Sequence, residues 1–92
     1  MLVARITDKV LWKKCGIYHI VEGSDRWYED GFPVARIRDK TTCKYPRSKI
    51  IQGSHKFHLE GKRVARIKDK VICPGCGLGK IIEGSSTFYE GG

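Results

Sequence analysis

"VARIKDK", residues 64–70, is the third copy of a phrase that the chain has already written as "VARITDK" at 3–9 and "VARIRDK" at 34–40. The spacing is 31 and then 30 residues. A repeat at a fixed period constrains the architecture before any local reading does. A second landmark keeps the same pace, as Glu22-Gly23-Ser24, Gln52-Gly53-Ser54 and Glu83-Gly84-Ser85. An aromatic residue follows each at one fixed distance (Trp27, Phe57, Phe88), and a glycine closes each unit (Gly31, Gly61, Gly92). Gly31 and Gly61 are each followed by two residues and then Val-Ala-Arg-Ile. The chain itself begins with two residues and then Val3-Ala4-Arg5-Ile6. It therefore reads as a ring of three units, about 1–31, 32–61 and 62–92, cut at one turn. Three equal units with adjoining ends predict a single domain over 1–92 with pseudo-threefold symmetry around an axis.

Each unit reads as β. "DRWYEDGFPVARIRD" (25–39) places two short strands around Asp30-Gly31, a type I′ hairpin signal, and "HKFHLEGKRVARIKD" (55–69) repeats it around Glu60-Gly61. The third hairpin is completed across the cut, with 86–90 pairing to 2–7. Ala35 and Ile37 alternate with Val34, Arg36 and Arg38, which predicts one apolar and one charged face; Ala4/Ile6 and Ala65/Ile67 copy the pattern. Trp27, Phe57 and Phe88 are expected to form a shared core layer. Pro33, at a strand start, suits an edge.

A chain of 92 residues buries a thin core, so a staple is expected. Four cysteines allow two disulfides or one metal site. "MLVARITDK" has no apolar stretch with a cleavage site behind it, so no Sec signal is read, and the metal reading is favoured. Superimposing the repeats strengthens it. "DKVLWKKCGIYHIVEGS" (8–24) and "DKVICPGCGLGKIIEGS" (69–85) align without a gap, placing Cys15 on Cys76. Cys43 and Cys73 each lie four residues after the repeat Asp, where the first repeat has Trp12. Cysteine thus fills four of six equivalent places, and four thiolates are what a tetrahedral structural site takes, with Zn–S near 2.3 Å. Cys15, Cys43, Cys73 and Cys76 are therefore the expected ligands, with all three loops meeting on the axis. His19, four residues after Cys15, is within sequence reach of the same ion. Its repeat equivalents are Lys49 and Lys80, however, which cannot replace it at neutral pH. His55 and His58 flank Phe57 and read as strand residues.

The net charge of +8 invites a nucleic-acid reading. The alternative function is accordingly a small, basic, zinc-stabilised nucleic-acid-binding module. Against it, Lys and Arg are spread at intervals along the chain. The one-per-repeat Arg5, Arg36 and Arg66 point to ion pairs with Asp8, Asp39 and Asp69. A thiol oxidoreductase would need Cys73-Pro74-Gly75-Cys76 at a helix N-terminus. Here the stretch is flanked by strand and glycine. No Ser, Asp, Glu or His arrangement reads as catalytic, and the chain is not expected to be an enzyme. No apolar run approaches the ~20 residues of a membrane-spanning helix.

"PVARIRDKTTC", "RVARIKDKVICPGC" and "KIIEGSSTFYEGG" together resemble the PAAR-repeat proteins over the whole chain. The resemblance implies an all-β cone of three hairpin repeats with a metal, usually zinc, near its apex. Such a cone sits on the blunt end of a trimeric spike in a contractile injection machine, either a type VI secretion system or a phage tail and its baseplate. The closed three-repeat ring predicts one copy per trimer, attached through the hairpin ends opposite the cysteine loops, with Phe32, Phe57 and Leu59 near the contact. The tip would sharpen the spike for membrane puncturing and touch a target outer membrane transiently. It would be assembled in the bacterial cytoplasm and delivered outward on the virion or secretion spike. No nucleic acid and no small-molecule substrate is implied. Two departures matter. Only Pro33-Val34-Ala35-Arg36 keeps the motif's proline, with Leu2 and Arg63 in its place elsewhere. Relatives often use histidine-rich ligand sets, whereas four thiolates accept iron as well as zinc. With Gly92 as the last residue and no toxin extension, the chain is expected to be a tip alone.

Overall fold

Each Val-Ala-Arg segment gives its backbone to its counterparts in the other two repeats. In the computed structural model, which describes residues 1–86, 88 and 89, the Ala35 amide donates to the Ala4 carbonyl, Ala4 to Ala65, and Ala65 to Ala35, all at 2.9 Å. Three identical bonds close a cycle around an axis. The bridges Val3↔Arg66, Arg5↔Val34 and Arg36↔Val64 form the same closed set. Pseudo-threefold symmetry is thus written in the main chain.

Above this waist the chain makes β1 (Lys9–Trp12), β2 (Gly16–His19), β5 (Lys49–Ile50), β8 (Lys70–Cys73) and β9 (Gly77–Ile81). They form one antiparallel sheet in the order β2-β1-β9-β8-β5. The sheet curls. Bridges Lys40↔Lys49 and Ile20↔Thr41 carry the pairing from β5 round to the segment after β2. Below the waist lie the short hairpins β3–β4 (Tyr28–Glu29, Phe32–Pro33) and β6–β7 (His58–Leu59, Lys62–Arg63). Their turns have positive φ at both central residues, 54° and 84° at Asp30-Gly31 and 56° and 80° at Glu60-Gly61. That is the type I′ geometry expected of them. Across the cut, Leu2 bridges Tyr89 and the Val3 amide donates to the Phe88 carbonyl, as Val34 does to Trp27 and Val64 to Phe57. Thr87 and Glu90, which fall in the expected 86–90 span, lie outside the described residues.

The Gly-Ser pair is the joint between units. The Ser24, Ser54 and Ser85 amides donate to the carbonyls of Val34, Val64 and Val3 in the next repeat, at 2.8, 2.8 and 2.7 Å. A Cβ on Gly23, Gly53 or Gly84 would lie within 2.9 Å of those same carbonyls, so only glycine permits the approach. The buried Ser24 and Ser54 hydroxyls then accept the amides of Arg26 and Trp27, and of Lys56 and Phe57.

The sequence periodicity is overridden in two places. Val34 and Ala35 are both fully buried, rather than one facing the core and one facing out. At the waist the strand runs between two apolar clusters, so both of its sides are covered. Val3, Val34 and Val64 pack on Phe57, Leu59 and Phe88 below, while the three alanines belong to the upper core with Val10, Trp12, Ile20, Ile50, Val71 and Ile81. Trp27, Phe57 and Phe88 do form one layer, with ring centroids 6.1 and 5.4 Å apart. It is a basal layer rather than a buried one, because Trp27 remains 43% exposed.

The arginine–aspartate pairs follow the repeat. Arg5, Arg36 and Arg66 each meet the aspartate three residues on in a side-on, two-bond contact at 2.9–3.1 Å. The same carboxylate accepts the arginine's own amide at 2.7–2.8 Å. This clamp closes a turn in which Thr7, Arg38 and Lys68 take φ of 79°, 74° and 76°. Non-glycine residues pay about 1 kcal/mol there. The hydrogen bond to Asp8 raises the Arg5 pKa above its ordinary value against the opposing effect of burial, and Asp39 does the same for Arg36.

Candidate metal centre

The strands above the waist converge on the cysteines. β1 ends at Trp12, and a tight turn with the Cys15 amide on the Trp12 carbonyl brings Cys15 inward. β8 ends at Cys73, and the equivalent turn, with the Cys76 amide on the Cys73 carbonyl, delivers Cys76. Cys43 comes from the irregular loop of the second repeat, between Thr41 and Ser48, where the Ser48 hydroxyl donates to the Thr41 carbonyl at 2.7 Å. All three repeats therefore contribute to one cluster.

The sulfurs of Cys15, Cys43 and Cys76 lie within 4.8 Å of one another, a group able to hold a metal ion. Cys43 Sγ is 3.5 Å from Cys76 Sγ and 2.8 Å from Cys73 Sγ. Cys15 and Cys76, with Cα atoms 5.9 Å apart, are joined as a disulfide, while Cys43 and Cys73 are free thiols. The four expected residues are thus brought together. Tetrahedral zinc with Zn–S near 2.3 Å needs sulfurs roughly 3.8 Å apart. Cys43 and Cys76, at 3.5 Å, are close to that separation.

The surroundings favour thiolate at Cys73. Burial works against the charged form of Cys73. The hydrogen bond from Cys43 and the amides of Gly75 and Cys76 outweigh it, and they hold its pKa below the ordinary thiol value. Cys43 is pushed up, by burial first and by its bond to Cys73, although the Lys44 and Tyr45 amides pull the other way. Amides aimed at cysteine sulfur are the outer-shell support that orients metal-bound thiolates. The donor set and its support fit a metal ion.

Two further residues complete the apex: Trp12, read in the sequence only as the residue in a cysteine's place, and Tyr45, which sequence reasoning missed. Trp12, fully buried at the position equivalent to Cys43 and Cys73, donates its indole N–H to the Gly77 carbonyl at 3.0 Å. The Tyr45 ring lies directly against Gly75, where any Cβ would sit 2.2 Å from it. The clue to Tyr45 was Gly75 itself, between two candidate ligand cysteines, with no side chain to occupy the space. His19 is exposed on β2, about 13 Å along an extended chain from Cys15, and joins no ligand group among the described residues. His55 and His58 are exposed on the opposite side of the waist.

The family model described as PAAR motif matches the chain twice, over residues 1–46 and 44–92. No curated protein matches the sequence at a significant level.

Proposed function

The chain belongs to the PAAR-motif family, and from that premise we propose that it is the tip of a trimeric spike in a contractile injection machine, a phage tail or a type VI secretion system. The observation that carries the reading is the closed cycle of Ala4, Ala35 and Ala65 hydrogen bonds, with hairpins at 28–33 and 58–63 below it and the Leu2–Tyr89 bridge at the equivalent place. One chain of this form offers three near-equivalent basal edges, one for each subunit of a trimer. A monomer of arbitrary shape offers only one. The base carries the Trp27, Phe57 and Phe88 layer, apolar surface that a spike's blunt end can bury.

The apex serves the other requirement. A cone narrows until no apolar core fits, so its loops need another tie. In the functional, reduced state Cys15, Cys43, Cys73 and Cys76 hold one ion between them, and residues 1–92 act as a single unit. Zinc is the metal of first choice, with iron open to the same four thiolates. When bound, such an ion supplies a structural cross-link and no reaction. The role is architectural.

The test is capture by a trimeric spike protein from such a machine. Trp27→Glu should abolish capture while leaving metal content and melting temperature near wild type. Undiminished capture by that variant would overturn the basal attachment.

A further inference from the structure

The net charge of +8 is not shared evenly between the two ends of the molecule. The three segments above the waist, 9–21, 40–51 and 70–82, carry nine Lys and Arg residues and no Asp or Glu. The remainder holds the other nine cations and all ten acids, a net charge of −1. All nine upper cations are exposed, and none takes part in an ion pair among the described residues. Spacing along the chain hides this polarity, because each repeat passes once through the basic end and once through the near-neutral one. A zinc ion held by four thiolates would subtract two charges and leave the excess standing.

The charge has a focus. Lys70 and Lys80 sit directly opposite each other on β8 and β9. Like charges in that position destabilise a sheet, so fold stability does not account for them. Together with Lys13 and Lys68 they line a shallow groove of about 350 Å³, whose apolar lining includes Leu11 and Leu78. Leu78 is 58% exposed, and so is its repeat equivalent Ile17 on β2. Four unpaired ammonium groups around exposed aliphatic side chains match an anion that is itself attached to something apolar. A single-stranded nucleic acid would want aromatic platforms for its bases, and no aromatic side chain lines this groove.

We propose that this groove and the basic collar around it bind the phosphorylated headgroups of an anionic lipid surface, with Leu11 and Leu78 entering the boundary beneath the phosphates. The inference rests on the spike-tip reading only in supposing that the apex leads. Its physical content is a charge dipole that turns the cysteine end toward an anionic membrane and holds it there before force is applied.

Flotation of the free, metal-loaded chain tests it, using vesicles of phosphatidylcholine alone and of phosphatidylcholine mixed with phosphatidylglycerol. Binding is expected only to the mixed vesicles, and it should weaken as salt is raised. K70Q/K80Q should bind them roughly 30-fold more weakly, at about fivefold per lysine lost near a charged surface. Its melting temperature should be unchanged or higher, because the cross-strand repulsion is relieved. Leu78→Ser should also reduce binding, which a purely ionic contact would not show. Equal binding to neutral vesicles, or full binding by K70Q/K80Q, would overturn the proposal. Tighter binding of single-stranded DNA, indifferent to Leu78→Ser, would overturn it in favour of a nucleic-acid surface. K70Q/K80Q should still be captured by the spike. If the wild type binds mixed vesicles but no spike, the spike-tip reading fails and this one stands.

Discussion

Asp39 is fully buried and serves three groups at once: the Arg36 guanidinium, the Arg36 amide and, at 3.8 Å, the Lys62 ammonium. Asp39→Ala would leave a largely buried guanidinium without its main partner and release the left-handed turn at Arg38. Stability should fall by ~3–5 kcal/mol, read from urea unfolding. The raised Arg36 pKa sets the sign of any pH effect from its side. The contribution is present throughout the acidic, neutral and moderately alkaline range and is lost only as pH rises past the raised folded value. Gly53→Ala tests the other kind of residue. Its Cβ would lie 2.8 Å from the Val64 carbonyl, so a loss of ~1–3 kcal/mol is expected. The arginine–aspartate clamps were legible in the sequence because both partners recur in every repeat. The glycines recurred as visibly, but their reason lies in the next repeat's backbone, which a one-dimensional reading does not contain.

At the scale of elements, the hairpins were legible and the second repeat's apical loop was not. Asp30-Gly31 and Glu60-Gly61 state their turn type outright. The loop between Thr41 and Ser48 has no such signal, because it lacks the strand pair that repeats 1 and 3 form there, and Arg47 takes a φ of 71° within it. The alternation of the Val-Ala-Arg strand misled because it presumes one wet face, whereas the waist is covered on both. The aromatic layer misled for the complementary reason. Aromatics repeated in threefold register need not be interior when they lie at the end of the molecule. One position in the second repeat departs from its equivalents at a cost. Val10 and Val71 correspond to Thr41, whose buried hydroxyl has no partner. Thr41→Val removes an unsatisfied polar atom at almost constant shape, so it should stabilise by ~1–2 kcal/mol. Differential scanning calorimetry should show the melting temperature rising by about 4–8 °C or more. A fall would mean that the hydroxyl is satisfied in solution.

For the molecule as a whole, the cysteine cluster was legible because the alignment of repeats placed all four residues on two equivalent positions. The pairing of Cys15 with Cys76 and of Cys43 with Cys73 within it was not, since spacing along the chain does not say which sulfurs of a cluster lie closest. Under reducing conditions a purified chain should carry one metal ion. A structural ion of this kind can supply ~10–16 kcal/mol coupled to folding, so chelation should lower the melting temperature by more than ~10 °C. Cys43→Ser should lower metal content and stability together, and unchanged values for both would remove the ion from its structural role. The separation of charge between apex and base was invisible along the chain, because each repeat threads both ends. What the whole account stands on is the match of one pseudo-threefold chain to one threefold partner. Native mass spectrometry of the chain bound to its trimeric spike tests this most directly. The account predicts a single copy for every three spike subunits. Three copies per trimer would contradict it.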